Sequence, residues 1–490
     1  MAVFEWRAIA PELLLLLFVL IVPLVSLALQ KSPRYKRDAG RLTLFALIGA
    51  LILVGIMMVT GNHLGKVVFD LYEVTLFSQF LKIVFLLVSI LVVLVSLDYA
   101  ERFRNPTEYY TLITVATVGM MVVASARDFI TLFIGLETAS LSSYILAGYL
   151  KNDGRKVEAS VKYFVVGALS SAILLYGISL VYGITGTLQF DAVSAELAGQ
   201  VRAMQPVTLV AITLLLVGIG FKITAVPFHM YAPDVYYGAP DTVSAFLSGG
   251  SKIMGFAAAL KVFVVALGPI KPDWEVLLGI VAIVTMTLGN IVALRQTSMK
   301  RLLAYSSIAH AGYLLIAVVV GTQLAVAGGL FHFFTDAVMK GTAFLIIAAI
   351  ALYGIGDRLD DMKGLRLRNP FLALVLVIML FSLAGVPPFA GFASKFALFY
   401  SAVQSAFTDG PRWFVWLAIA GIANSLVSLF YYAKVVRFIY GEPAADETKV
   451  ELSLPTTIAL SIGLIIVIGA GILPQYVWGQ ALDAAALFVP

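Results

Sequence analysis

The stretch Gly220–Pro240, GFKITAVPFHMYAPDVYYGAP, closes an apolar run that begins near residue 205. It carries a lysine, Lys222, five residues ahead of Pro227. Proline lacks the amide hydrogen a helix interior needs and clashes with the carbonyl one turn back, so the helix breaks or bends there. Backbone left unpaired at membrane depth persists only where protein or trapped water satisfies it. Water is also what a lysine needs to exchange a proton, and a desolvated lysine gives its proton up readily. The stretch therefore predicts a broken helix in which Lys222 is a proton-exchange site. The simpler alternative is a lysine whose stem lies along the helix while its ammonium reaches the interface. The depth of Lys222 within its run argues for the first reading.

A second stretch repeats the pattern. In FSLAGVPPFAGFASKFALFY, Phe381–Tyr400, Pro387 and Pro388 interrupt another apolar run, and Lys395 follows within two turns. Fourteen apolar segments can be placed, near residues 9–30, 40–60, 76–99, 108–126, 128–150, 157–185, 205–232, 241–268, 273–295, 301–321, 324–354, 370–405, 411–440 and 452–475. The breaks fall in the seventh and the twelfth. Five is an odd interval, so corresponding helices cross in opposite directions, the trace that an inverted repeat leaves. The expected architecture is an all-α polytopic membrane protein with fourteen transmembrane helices, two inverted five-helix repeats and two discontinuous helices. Residues 1–107 would hold the first three helices, 108–268 the first repeat, 269–441 the second and 442–490 the last helix, with no further helix after it.

Composition agrees with this architecture. Of 490 residues, 61% are hydrophobic and 12% charged, and mean hydropathy is +0.98; soluble domains carry about twice that share of charge. The net charge of +5 comes from basic residues in alternate loops, around 31–41, 102–104, 151–156, 295–301 and 358–368. That bias predicts a cell-membrane protein with these loops in the cytoplasm and both termini outside, and it makes nucleic acid an unexpected partner. The first segment has Glu5, Arg7 and Glu12 at its start and no small-residue cleavage site, so it reads as a retained helix rather than a signal peptide. With no cysteine, thiolate metal sites and cysteine-ligated iron–sulfur clusters are excluded. The four histidines, His63, His229, His310 and His332, lack the spacing of a helical metal site. No phosphate-binding loop or dinucleotide fingerprint occurs either.

Ionisable residues inside apolar segments cost about 2.5–3.5 kcal/mol each on insertion scales, so each needs a reason. The candidates are Glu137, Lys162, Lys222, Lys252, Lys261, Asp336, Lys340, Lys395 and Lys434. Glu137, in FIGLETASLSSYIL, is either a packing carboxylate or a partner that holds and releases a lysine, Lys222 first among Lys222, Lys162 and Lys252. Lys252, in FLSGGSKIMGF, lies among glycines and serines that let helices approach and would bridge the two halves. His310, four residues after Ser306, suits either packing or relay. Asp336 and Lys340 share one helix face and would neutralise each other. Lys162 would reach Glu137, whereas Lys261 and Lys434 would extend to an interface.

Four stretches, PFHMYAPDVYYGAPDTVSAFL, SKIMGFAAALKV, SSIAHAGYLL and GVPPFAGFASKF, carry a resemblance. The sequence resembles the antiporter-like membrane subunits of respiratory complex I over essentially all fourteen segments, and among them subunit N (subunit 2 in mitochondrial naming). P-D-V-Y-x-G-A-P separates that subunit from its sisters. The resemblance implies a proton channel within an NADH–quinone oxidoreductase, a respiratory-chain translocase, or within its archaeal relatives. Glu137, Lys222, Lys252 and Lys395 fall on its relay positions; His310 and Lys162 fall within matching motifs. DAVMKG, with Asp336 and Lys340, departs from the subunit N pattern. No cofactor is expected in this chain; flavin, iron–sulfur clusters and quinone belong to other membrane and hydrophilic subunits. The alternative is an Mrp-type cation/proton antiporter subunit with no redox partner.

Overall fold

The computed structural model describes residues 6–28, 35–61, 64–150, 154–200, 205–443 and 448–486. Glu5, Lys31, Arg34, His63, Lys151 and Arg202, and the side chain of Arg155, lie outside the described residues. The chain opens with α1 (Ala10–Ala28), α2 (Tyr35–Thr60), α3 (Leu76–Tyr99), α4 (Pro106–Ser125), α5 (Phe129–Ala147) and α6 (Gly154–Thr185). A short α7 (Phe190–Gln200) precedes α8 (Gln205–Lys222) and α9 (Tyr231–Gly238). Next come α10 (Asp241–Phe246) and α11 (Lys252–Ala259), joined and extended by π-helical segments at Leu247–Ser251 and Leu260–Ala266 into one rod. The second half holds α12 (Lys271–Leu294), α13 (Met299–Val320), α14 (Gln323–Ala351), α15 (Leu365–Arg368), α16 (Pro370–Ala384), α17 (Ala390–Phe407), α18 (Phe414–Tyr440) and α19 (Leu454–Ile472). It ends in α20 (Pro474–Ala486).

Among the described residues, twelve helices are long and apolar enough to cross a membrane, and α8 and α16 are shorter apolar helices that each stop at a break. Two expectations need correction. The protein is almost but not entirely helical, because Val67–Val68 pairs with Tyr72–Glu73 in a small antiparallel hairpin. A helix also follows the last long one: α20 turns back to pack against α14 and α3, burying Ala481, Ala484 and Ala485. A face of three alanines is too weakly apolar for a hydropathy reading to register, and it needs the bundle to give it a surface.

Helices associate here through close packing rather than through exclusion of water. A Cβ placed on Gly289 of α12 would stand 2.5 Å from the backbone nitrogen of Ala309 on α13. One on Gly119 of α4 would stand 2.7 Å from that of Ala139 on α5. In both pairs the backbones themselves touch. Helix starts are fixed locally: Asp128 accepts from the Ile130 and Thr131 amides at the head of α5, and Ser298 accepts from Arg301 at the head of α13. The most central helices, α13 and α14, are buried on nearly every side, whereas α1 and α2 form the rim.

Contacts sort the loops into two ends. Arg37 pairs with Asp98 at 3.2 Å, Arg102 donates to the Leu352 carbonyl at 2.6 Å, Lys300 pairs with Asp241 at 2.5 Å, and Ser453 bonds Asp98. At the other end the Arg127 amide donates to Leu71 at 2.9 Å and Lys261 to the Ala126 carbonyl at 2.8 Å. Gly289→Val should force α12 and α13 apart, lowering stability by roughly 1–3 kcal/mol. That loss would be read as a lower thermal midpoint of the purified protein in detergent, against an unchanged Gly55→Val control, whose glycine has open space around it.

Candidate functional site

Both apolar half-helices end by the same hydrogen-bond device. At the first, the Ala225 amide donates to Gly220 O (2.9 Å) and the Thr224 amide to Phe221 O (3.1 Å). At the second, Val386 donates to Phe381 O (3.0 Å) and Gly385 to Ser382 O (2.9 Å). This six-to-one, five-to-two pattern needs a left-handed residue, and Thr224 (φ 62°) and Gly385 (φ 88°) supply it. A β-branched residue held there costs on the order of 1–3 kcal/mol, which the surrounding packing must offset. The exposed helix-end groups are then met from outside: the Tyr231 hydroxyl donates to Phe221 O (3.0 Å), and the Val226 amide to Thr285 Oγ1 (3.0 Å).

Lys222 is the last residue of α8 and is buried. Its Nζ lies 3.1 Å from Glu137 Oε1, 2.6 Å from Ser140 Oγ and 3.4 Å from Ser171 Oγ. Ser171 in turn donates to Glu137 Oε1 at 2.6 Å. Ser140 follows Glu137 by three residues, so both face α8 from one side of α5. The carboxylate and ammonium are thus joined directly and through hydroxyls that can pass a proton.

A larger cluster occupies the centre. Asp336, fully buried on α14, has Lys252 Nζ 2.7 Å from Oδ2, with Lys340 Nζ and His310 Nδ1 each 2.9 Å from Oδ1. Lys252 also donates to Ser307 (3.0 Å) and Lys340 to the Ser306 carbonyl (3.3 Å). From His310 Nδ1 the chain continues to His332 Nε2 at 3.2 Å, and from His332 Nδ1 to Ser394 Oγ at 2.9 Å. Buried polar groups therefore follow one another at 2.7–3.2 Å from Lys252 to Ser394, the residue before Lys395, although Asp336 Oδ1 and His310 Nδ1 meet without hydrogen-bond alignment. The π-helical segment at Leu247–Ser251 sits directly before Lys252, a distortion that recurs at functional sites.

Lys395 has no carboxylate beside it among the described residues. It donates to Leu383 O (2.7 Å) and Ser425 Oγ (2.9 Å) and lies 5.0 Å from the centre of the Tyr313 ring. A cation suits the free carbonyls at a helix C-terminus. A cavity of about 470 Å³ opens beside it, lined by Gly385, Phe396, Tyr400, Ser425 and Leu426. At the end of the bundle that holds Lys300, a polar cleft of about 870 Å³ is lined by Lys162, Asp234, Lys300, Arg301 and Asp357.

The structure brings Glu137 to Lys222, and it brings Lys252, Asp336, Lys340 and His310 to one point. Lys162 does not reach Glu137: it is exposed and pairs with Glu158 (2.8 Å) and Asp234 (3.7 Å). Lys434 is exposed. Lys261 reaches the end of the bundle, but it is buried there and caps α4 through Ala126 O rather than meeting solvent. His332 was passed over by sequence reasoning, although it stands four residues before Asp336 and eight before Lys340 on one face of α14. Lys82 and Glu12, buried and 3.0 Å apart, were also missed; a lysine seven residues into an apolar segment was the available signal.

His310, His332 and Asp336 hold possible metal-ligand atoms within 4.8 Å of one another, a proximity that sequence spacing did not suggest. Two ammonium groups already bind the carboxylate, so a divalent ion would have to displace both. The donor set fits proton transfer better than metal binding.

The profile of the family described as NADH:quinone oxidoreductase/Mrp antiporter, transmembrane, matches residues 126–422. The chain belongs to this family. It is 42% identical to F(420)H(2) dehydrogenase subunit N of Methanosarcina mazei, over 99% of each chain. It is 38% identical to NADH-quinone oxidoreductase subunit N of Desulforamulus reducens, again over 99% of each. Among solved structures, a chain of respiratory complex I from Thermus thermophilus superposes with a TM-score of 0.79 at 30% identity, covering 96% of this chain and 98% of that one. A chain of the Mrp complex from Dietzia shares the family fold, with a TM-score of 0.83 at 21% identity and coverage of 99% and 98%.

Removing one partner of a buried ion pair costs about 3–5 kcal/mol, because the other charge is stranded. Asp336→Asn strands two ammoniums and should sharply lower the amount of folded protein recovered from membranes. Asp336→Asn combined with Lys340→Met strands one fewer charge and should recover part of that loss. Quantitative immunoblotting of solubilised protein, compared across wild type, single and double variant, provides the check.

Proposed function

We propose that this chain is a proton-translocating membrane subunit of an oxidoreductase that passes electrons from NADH or a related donor to quinone. It conducts protons through a lysine, glutamate, histidine and water relay, while flavin, iron–sulfur clusters and quinone reside in partner subunits. The observation that carries the reading is the buried succession Lys252–Asp336–His310–His332–Ser394, in which each polar group stands 2.7–3.2 Å from the next, with the Glu137–Lys222 pair on one flank and Lys395 on the other. Lys222 and the central group are close neighbours in the fold: a Cβ on Gly255, three residues after Lys252, would lie 2.9 Å from the Lys222 carbonyl carbon. Family membership supports the same reading.

The relay works by electrostatic bias. A carboxylate beside a lysine favours the ammonium, and withdrawing the carboxylate favours proton release. At 4 Å and an effective dielectric of 20 the interaction is about 4 kcal/mol, ample to switch occupancy. Glu137 is the movable charge for Lys222, and Asp336 plays that part for Lys252 and Lys340. Lys395, held only by carbonyls and hydroxyls, is the group that exchanges with water.

The two broken helices cross the membrane, making fourteen crossings. Arg102 at the end of α3 touches Leu352 just beyond α14, so an even number of crossings separates them. Seven continuous helices lie between, which supports counting α8–α9 as the eighth crossing. Ser453 ahead of α19 touches Asp98 at that same end, which supports a crossing by α16–α17 as well as by α18. Residues 108–268 and 269–441 then form two inverted units. The paired ends Asp128–Gln189 and Ser298–Arg358, each a bridge between matching loops, support that relation. Basic loops lie in the cytoplasm and both termini outside.

Glu137→Gln keeps the shape and removes the charge, so assembly should survive while proton-coupled turnover falls; Glu137→Asp should keep part of it. Lys395→Ala should likewise depress pumping more than assembly. Proton uptake in sealed vesicles, with assembly checked on native gels, decides the matter: wild-type pumping by an assembled Glu137→Gln complex makes the glutamate a packing residue. Copurification of this chain with hydrophilic redox subunits separates the proposal from a self-standing antiporter. A single cysteine introduced at Thr297, in a chain with none of its own, should react with an impermeant thiol reagent from the cytoplasmic face only. Labelling from outside would reverse the orientation.

A further inference from the structure

The relay described above leaves one group of buried charges unused. Lys82 of α3 is fully buried, with its Nζ 3.0 Å from Glu12 Oε1 and 2.6 Å from the Tyr72 hydroxyl. Tyr72 donates to the same Glu12 oxygen at 2.6 Å. Three parts of the chain, α1, the hairpin and α3, converge on this triad. We propose that Lys82, with Glu12 and Tyr72, is a further proton-exchange site of this chain, lying under the 67–73 hairpin at the end of the bundle opposite the basic loops.

A purely structural ion pair would hold α1 and the hairpin against α3, but two observations favour exchange. First, Glu12 Oε2 and both amide atoms of Gln79 are buried with no hydrogen-bond partner among the described residues. Gln79 stands three residues before Lys82, on the same helix face. Buried polar atoms are almost always satisfied, so orphans on the ion pair itself and one helical turn from it mark a place for water. Second, the triad ends a polar seam. Lys82, Ser89 and Ser96 recur every seven residues, on one face of α3 and about 10 Å apart. Ser89 bonds Thr117 (2.7 Å), Ser96 bonds Tyr109 (2.8 Å), and Tyr109 donates to Thr242 (2.8 Å). Tyr99 donates to Asp241 (3.1 Å), which pairs with Lys300 at the basic end. The rungs are too far apart for direct transfer, so water must connect them.

The step itself is simple. An N–H bond of the Lys82 ammonium breaks and an O–H bond forms on Glu12, leaving a neutral amine and a neutral acid. Glu12 then releases that proton to water under the hairpin, and Lys82 takes one from water in the seam, restoring both charges.

This inference rests on the chain being a proton conductor, so its test runs beside Glu137→Gln in the same native complex in sealed vesicles. Lys82→Met with Glu12→Gln removes both charges together, which a structural pair tolerates. The double variant should assemble, yet lose about tenfold or more of its proton translocation, as removal of a positioned proton-transfer group does. Normal translocation in that variant, with Glu137→Gln impaired, overturns this site and leaves the main relay standing. Normal translocation in both overturns the two together. Gln79→Cys supplies a measurement that does not depend on the charged pair. Its thiol should react with a small cationic methanethiosulfonate applied to the hairpin side, and a thiol inert from both sides would mean a dry packing cluster and end the proposal.

Discussion

A lysine ammonium brings three N–H donors into the bundle, and a membrane interior offers no bulk water to receive them. The arrangement around Lys222, Lys252, Lys340 and Lys395 follows from that demand. Lys222 meets a carboxylate and two serines, Lys252 a carboxylate and a serine, Lys340 a carboxylate and a main-chain carbonyl, and Lys395 carbonyls and a serine. Each acceptor sits on a different helix from its lysine except Asp336 with Lys340. Satisfying the ammonium groups therefore dictates which helices must touch. The small residues on α4, α5, α12 and α13 then make such close approach sterically possible.

The two breaks solve one problem in two ways. Thr224 and Gly385 occupy equivalent left-handed positions, and two residues before them stand Lys222 and Leu383. At the first break the charge is carried at that place on the half-helix itself. At the second, Lys395 comes from beyond the break and reaches back to the Leu383 carbonyl. A positive group thus ends beside the same turn in both halves, although the sequence puts one lysine before the prolines and the other after. The company differs: Lys222 pairs with Glu137, whereas among the described residues Lys395 has carbonyls, a serine, the Tyr313 ring and a cavity beside it.

Between these flanks, Asp336 compensates two lysines and a histidine at once. One carboxylate cannot fully neutralise two ammoniums, so Lys252 and Lys340 share it as a common counter-charge. His310 and His332 extend the same network towards α17, and an imidazole nitrogen can donate or accept a hydrogen bond.

Much of this was legible from residues alone. Apolar runs set the helices, since nothing else satisfies backbone in lipid. Pro227 and the Pro387–Pro388 pair located the breaks, because proline removes a donor wherever it stands. Lys222, Lys252, Lys395 and Glu137 stood out through the cost of burying charge. Partnership did not follow from the sequence, because it depends on distances across helices. Lys162 lies about two turns from the start of α6, where it could have faced Glu137, and the bundle turned it outward to Asp234. His332, silent as an isolated histidine, became a link only when α14 set it against α13 and α17. Lys82 and Glu12 are seventy residues apart, and their ion pair depended on α1 packing against α2 and α4 so that its first turn meets α3. The weakly apolar α7 and α20 had no pattern strong enough to announce them, and the surface each covers exists only once the bundle has formed. The sequence by itself determined where charge and broken backbone must lie in the membrane, because those costs are local. Only the tertiary structure decided which charges meet, because an ion pair is made by two helices and written in neither.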